Sequence, residues 1–189
     1  MAAGRGFNSQ RSSSVDGSAN ALPQAGLDDR GAPADGQTTV RAPDISSLSP
    51  QERADRLYNR VMLLASQGKI DSVQFFAPMA VQSYLQLAPL NADQRYDLGR
   101  ISEVVGALPL AQAQADSILR EQPNHLLGLI LEARLATLSG DTTRLHSFER
   151  RLIAASKTEP AKKLEEYVRH QDDITSAIEQ AKKSVGAKS

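Results

Sequence analysis

The sequence predicts an all-α protein of stacked helical hairpins behind a polar leader. Glycine recurs at Gly68, Gly106 and Gly140 and proline at Pro89 and Pro123, and apolar residues between them keep helical spacing. Equivalent positions hold fixed offsets: 38 residues from Ala54 to Ala92 and Tyr58 to Tyr96, then 34 from Gly106 to Gly140 and Gly99 to Ala133. A period in the thirties belongs to helical hairpins that each bury an apolar face against the next.

Each element has its own signal. Ser49-Pro50-Gln51-Glu52 starts the first helix: a capping Ser, a Pro at the first helical position and a Glu that completes a capping box. Leu57, Val61, Leu64 and Ala65 form its apolar face, and Gly68 stops it. Asp71 is the expected cap of a second helix faced by Val73, Phe76, Ala77, Ala80, Val81, Tyr84 and Leu87, with a kink or break at Pro78. Asn91 caps a third, with Gln94 in the reciprocal position and Leu98, Ile101 and Val105 as its buried face. Pro109 opens a fourth, with Ala111, Ala115, Ile118 and Leu119 inward. Asn124 opens a fifth that is apolar nearly all round through Leu138, and so buried on most sides. Asp141 caps a sixth, with Leu145, Phe148 and Leu152 facing in and Arg144 and Arg151 facing out. Thr158-Glu159-Pro160 starts one last helix, running over 159–185. The surplus of four residues in the first unit falls between Gly68 and Pro89 and is expected to lengthen the helix containing Pro78.

Residues 1–47 contain six glycines, three prolines and a single aromatic, Phe7. Such a segment buries too little apolar surface to offset its ordering entropy, so a disordered Ser/Gly/Ala-rich tail is expected. Net charge is zero, 22 Lys+Arg against 22 Asp+Glu, and no segment carries the positive field that phosphate binding needs. With no cysteine, disulfides, thiolate metal sites and cysteine nucleophiles are excluded. No apolar run spans a membrane and no signal peptide opens the chain, so a cytoplasmic location is expected, or an envelope tether if an anchor lies outside this chain.

This grammar resembles the tetratricopeptide repeat family. The match is best in Ala92–His125, at Leu98-Gly99, Gly106, Leu108, Ala111, Ile118 and Pro123-Asn124. It is fair in Ala54–Asn91, through Leu57-Tyr58-Asn59, Gln67 to Asp71 and Pro89, and weaker in Leu126–Pro160, where Ala133, Gly140-Asp141 and Leu152 remain. The long first unit, Pro78 and the lack of tryptophan depart from the family. The resemblance implies a right-handed α-α superhelix of about seven helices: three degenerate repeats (54–91, 92–125 and 126–158, within a domain from 48) and a C-terminal capping helix over 159–185. Small residues at Gly99 and Ala133 would let neighbouring helices approach.

The resemblance also implies a concave groove lined by the first helix of each hairpin. Carried over by register, its candidate protein-binding residues are Tyr58, Met62, Tyr96, Arg100, Glu103, Leu127, Ile130 and Arg134, with Asp55, Asp93 and Leu127 at the N-terminal rim and Asn59, Asp97 and Leu131 close by. The positions that grip a terminal carboxylate in one subclass hold Tyr58, Met62, Asp97, Leu127 and Leu131 here, so that mode is not expected. Tyr58 and Tyr96 pack either a peptide side chain or the core between hairpins. Leu127, Ile130 and Leu131 form either a docking surface or a seat for the last helix. A 3–4 spacing through Leu164, Tyr167, Gln171, Ile174, Ile178, Ala181 and Val185 also reads as a heptad seam for weak self-association.

Catalytic chemistry is not expected. No phosphate-cradling loop is present, and His125, His146 and His170 lack a metal-ligand spacing, with His170 read as solvated helix surface. No catalytic residue, metal or cofactor is therefore expected. The reading is a non-enzymatic scaffold or adaptor that binds a protein or peptide segment, with no nucleic-acid partner. The alternative is a structural subunit of an envelope or multi-protein complex tethered by its N-terminal tail.

Overall fold

Local sequence signals set the helix starts in a computed structural model that describes residues 48–186. The tail expected over 1–47 lies outside the described residues. In α1 (Pro50–Ser66) the Ser49 hydroxyl accepts from the Glu52 N–H, and the Glu52 carboxylate accepts from the Ser49 N–H. Asn91 and Gln94 make the same reciprocal pair at α3 (Ala92–Val104), and the Asp141 carboxylate accepts from the Arg144 N–H at α6 (Thr142–Ala155). Each such cap satisfies backbone donors that the first turn leaves orphaned, at a gain of about 1 kcal/mol.

The glycine recurrence has one backbone cause. Gly68, Gly106 and Gly140 adopt φ of 67°, 76° and 70° past the ends of α1, α3 and α5 (Leu126–Leu138). The next residues, Lys69, Ala107 and Asp141, then donate to the carbonyls of Leu64, Ser102 and Ala136 at 3.0, 2.8 and 3.0 Å. This closure needs the left-handed conformation, which glycine adopts without a Cβ clash.

Five local expectations change. α2 (Ile70–Leu85) starts before Asp71: Lys69 occupies its cap position without a side-chain bond. It also runs unbroken through Pro78. Pro78 and Gln74, whose carbonyl loses its helical donor, both face solvent, where water replaces the bond. The surplus of the first unit is shared, since α2 has 16 residues against 14 in α4 (Leu108–Glu121), and the link after it is also longer. At α5 the cap position belongs to His125, not Asn124. Arg144 is half-buried, not outward, because it donates to Gln112 at 2.5 Å and to Glu132.

The end of the chain departs most. In place of one helix there is a 3-10 turn (Glu159–Lys162), a short α7 (Glu165–Arg169) and α8 (Gln171–Gly186). Lys163 sits at φ 52° and ends the 3-10 turn, so a continuous helix from Thr158 is impossible. Tyr167, Ile174 and Ala181, seven residues apart, are all buried against the chain's own core. Three of the seven seam positions are thus filled from within, while Gln171 is exposed.

The described residues are all-helical, with eight α-helices and no strand. α1 packs on α2, α3 on α4 and α5 on α6, while α3 also touches α1, α2 and α5. α8 packs on α6 and α5. Two apolar clusters result. One gathers α1, α2, Leu98 and Ile101; the other gathers Tyr96 with α4, α5, α6, Tyr167, Ile174 and Ala181. α3 faces both, so every residue from Tyr96 to Ser102 is buried, polar ones included. Val105, expected on its buried face, is exposed instead. No helix among the described residues is long and apolar enough to cross a membrane.

Gly99 permits the α3–α5 contact. A Cβ there would stand 2.4 Å from Leu131 Cδ2, inside the core. Gly99→Ala should destabilise the fold by about 1–3 kcal/mol through overpacking, even against alanine's better helix propensity. Leu131→Ala in the same background should recover part of the loss that the two single changes would sum to. Urea unfolding of the three variants measures this, and additive losses would mean that the two sites are not in contact.

Candidate functional site

α1 and α3 bring three carboxylates to one face. Asp55 lies one turn before Tyr58, and Asp93 and Asp97 lie one turn apart on α3, so all three side chains reach the same space. Arg169, at the end of α7, enters among them. It bonds Asp97 Oδ2 at 2.6 Å and Asp55 Oδ1 at 3.1 Å, and it also pairs with Asp93 Oδ2. His170 follows: its Nε2 lies 2.9 Å from Asp93 Oδ1 and 3.4 Å from Asp97 Oδ1. Tyr84 of α2 donates to Asp97 Oδ2 at 2.7 Å. The Tyr96 and Tyr58 rings meet the His170 ring edge-on, with centroids 4.8 and 6.3 Å away.

A second contact lies one turn along α8. Asp173 Oδ2 accepts from Tyr96 Oη at 2.8 Å and from Arg100 Nη1 at 2.7 Å. Arg100 pairs with Glu103 at 3.1 Å, and Glu103 takes both Nε and Nη2 of Arg134, at 2.7 and 2.6 Å. Two further clasps hold the C-terminal segment. Tyr167 Oη donates to Glu159 and accepts from the Leu126 N–H, and Ser184 donates to Glu149.

The register therefore places Tyr58, Tyr96, Arg100, Glu103 and Arg134 along one face, and the chain's own C-terminal segment covers most of it. Tyr58, Tyr96 and Arg100 are buried, Glu103 is half-buried and Arg134 is exposed. Ile130 is buried and lines, with Glu103, Arg134, Asp173 and Gln180, a cleft of about 230 Å³ beside α8. Leu127 is core, and Met62 packs on the other apolar cluster, so these two do not join the face. Leu127, Ile130 and Leu131 are all buried; Leu131 packs against Gly99 of α3, and Ile130 borders the cleft beside α8.

His170 overturns its expectation of a solvated surface: it is 6% exposed and wedged between two tyrosines and two aspartates. Arg169, His170 and Asp173 were invisible as site residues because 72 or more residues separate them from Asp97 and Tyr96. Two signals were present. Asp93 and Asp97 repeat at one helical turn, and Arg169-His170 stands between the acidic pairs Glu165-Glu166 and Asp172-Asp173.

Burial dominates the electrostatics of Asp97, which is fully enclosed. It lifts the carboxyl from its ordinary 3.8 to about 6, against the pull of Arg169 and His170. Burial acts on Asp93 too, but the hydrogen bond from His170 and the Arg169 charge outweigh it and hold that carboxyl below its ordinary value. The signs of their linkage differ. Asp97 takes up its proton in the fold before the unfolded chain does, so it disfavours folding as pH rises from about 4 to 6. Asp93 contributes stability that is lost as pH falls below the ordinary carboxylate range.

Chemically the arrangement is an ion-pair clasp. Asp93, Asp97 and His170 each aim one ligand-type atom at a common point, all within 4.8 Å of one another, and so are the residues able to hold a cation. In chelator-treated protein the Asp97 carboxyl should titrate with a midpoint of about 6 by carbon NMR. Arg169→Gln should move that midpoint upward by removing the opposing charge; a downward move would refute the assignment of causes. No family model, curated protein or solved structure matches this chain.

Proposed function

We propose that this protein is a non-enzymatic interaction scaffold of the tetratricopeptide kind. On this reading the three hairpins form a right-handed superhelix, and its concave face, lined by α1, α3 and α5, receives a helical segment of a partner protein. The supporting observation is that the face selected by register already holds a helix–helix junction, α7–α8, through Arg169, His170 and Asp173. It is acidic where it meets Arg169 and basic, at Arg100, where it meets Asp173. Charge complementarity of this kind sets register and rejects wrong partners more than it adds affinity. In the closed chain the partner's helix enters by exchange with the chain's own.

A fluorescent peptide spanning residues 164–186 tests this. Arg169→Glu puts a fourth carboxylate among Asp55, Asp93 and Asp97 and should release the tethered segment by repulsion. The peptide should bind that full-length variant about tenfold or more tighter than wild type, because the competing tethered segment is gone. Equal binding, or none to either chain while hydrogen exchange shows α8 released, would reject a helix-receiving face.

One observation favours the alternative of a structural assembly subunit. α2 bears a single charged residue, Asp71, and exposes Ile70 (59%) and Phe75 (65%) with Met79 beside them. An apolar face of that kind suits a fixed neighbour in a larger complex.

A further inference from the structure

We propose that Asp93, Asp97 and His170 form a binding site for one divalent transition-metal ion of the zinc class. The inference is independent of the scaffold reading.

The geometry is that of ligands already gathered. His170 Nε2 stands 2.9 Å from Asp93 Oδ1 and 3.4 Å from Asp97 Oδ1. An ion bound at about 2.0–2.2 Å to nitrogen and oxygen keeps neighbouring ligand atoms roughly 3.0–3.4 Å apart, whether octahedral or tetrahedral. For the two pairs that include His170, little movement separates the arrangements; Asp93 and Asp97, within 4.8 Å of each other, would close onto the ion.

The outer oxygens are tied down; of the inner ones, Asp93 Oδ1 shares a hydrogen bond with His170 Nε2, whose proton an ion would replace, and Asp97 Oδ1 has none. Arg169 takes Asp93 Oδ2 and Asp97 Oδ2, and Tyr84 donates to Asp97 Oδ2. These bonds orient both carboxylates as outer-shell partners orient metal ligands. The Oδ1 atoms are left to converge on the imidazole. Asp97 Oδ1 is buried and has no hydrogen-bond partner, although the rest of its carboxylate is satisfied. A fully enclosed carboxylate oxygen without a donor is costly, and a cation is the ligand it would accept.

The charge count points the same way. Asp55, Asp93 and Asp97 face one guanidinium, so with His170 neutral the cluster carries two surplus negative charges, which a divalent ion cancels. An imidazole with only two carboxylates suits zinc, cobalt or manganese; magnesium and calcium prefer all-oxygen sets of higher number. Because Asp93 and Asp97 belong to α3 and His170 to the α7–α8 junction, the ion would staple the C-terminal segment to the centre of the fold.

The test uses the full chain, stripped with chelator and titrated with Co²⁺ and Zn²⁺. One ion per chain should bind, with visible cobalt absorption and a rise in Tm, and millimolar Mg²⁺ should not compete. His170→Gln and Asp97→Asn should each lower affinity by about tenfold or more while far-ultraviolet circular dichroism shows an intact fold. Imidazole NMR of the wild type settles the site without any variant: Zn²⁺ should shift His170 and leave His125 and His146 in place. No saturable binding, binding that both variants retain, or a shift of His146 alone (an adventitious surface ion only) would overturn the proposal.

Discussion

Three carboxylates converge between α1 and α3, and one of them, Asp97, has no access to water. An unpaired buried charge costs several kcal/mol, so this face of the fold needs positive charge delivered from elsewhere in the chain. Arg169 delivers it. The path of the C-terminal segment follows from that requirement: the chain breaks helix at Lys163, re-forms α7, and turns at His170 so that Arg169 and His170 both reach the aspartates. Once the junction is pinned there, α8 runs back over α5 and α6 and places Ile174 and Ala181 in the core. The ion-pair cluster sets direction, and the apolar contacts supply the burial that holds it.

α3 is the structural centre of this arrangement. It contributes Leu98 and Ile101 to one apolar cluster and Tyr96 to the other, so it has no solvent face over its middle turns. Its polar residues are therefore obliged to find partners within the protein. Asp97 finds Arg169 and Tyr84, Arg100 finds Glu103 and Asp173, and Ser102 returns its hydroxyl to the Leu98 carbonyl. A helix so placed links both clusters to the C-terminal clasp. That is why Gly99, which lets α5 approach it, cannot carry a Cβ unless Leu131 shifts.

The same arrangement bears on function. The face that a helical-repeat reading assigns to a partner is the face the chain itself covers; its contacts at Asp55, Asp93, Asp97 and Arg100 are polar, while Ile174 and Ala181 of the covering segment enter the core. Polar contacts with partly exposed arginine exchange more readily than a dry apolar seam, because water can replace each bond as it opens. A bound ion at Asp93, Asp97 and His170 would change that balance, since it joins the body and the segment through bonds that water alone does not replace.

Local chemistry made the helix starts and stops legible from sequence. Ser49, Asn91 and Asp141 cap because a short polar side chain reaches a free N–H within three residues, and Gly68, Gly106 and Gly140 stop helices because only a residue without Cβ turns left-handed at no cost. The 38 and 34 spacing and the apolar fifth helix follow from the sequence pattern, and the family resemblance implied a common face for Tyr58, Tyr96 and Arg100. What covers that face did not follow. His170 reads as a surface residue, and Leu164 to Val185 as either a capping helix or a seam for another chain, because nothing local says which surface an amphipathic segment will meet. Only the tertiary structure decided that Arg169 and His170 meet Asp55, Asp93 and Asp97, for a physical reason: the demand for their charge arises from burial on helices more than seventy residues away.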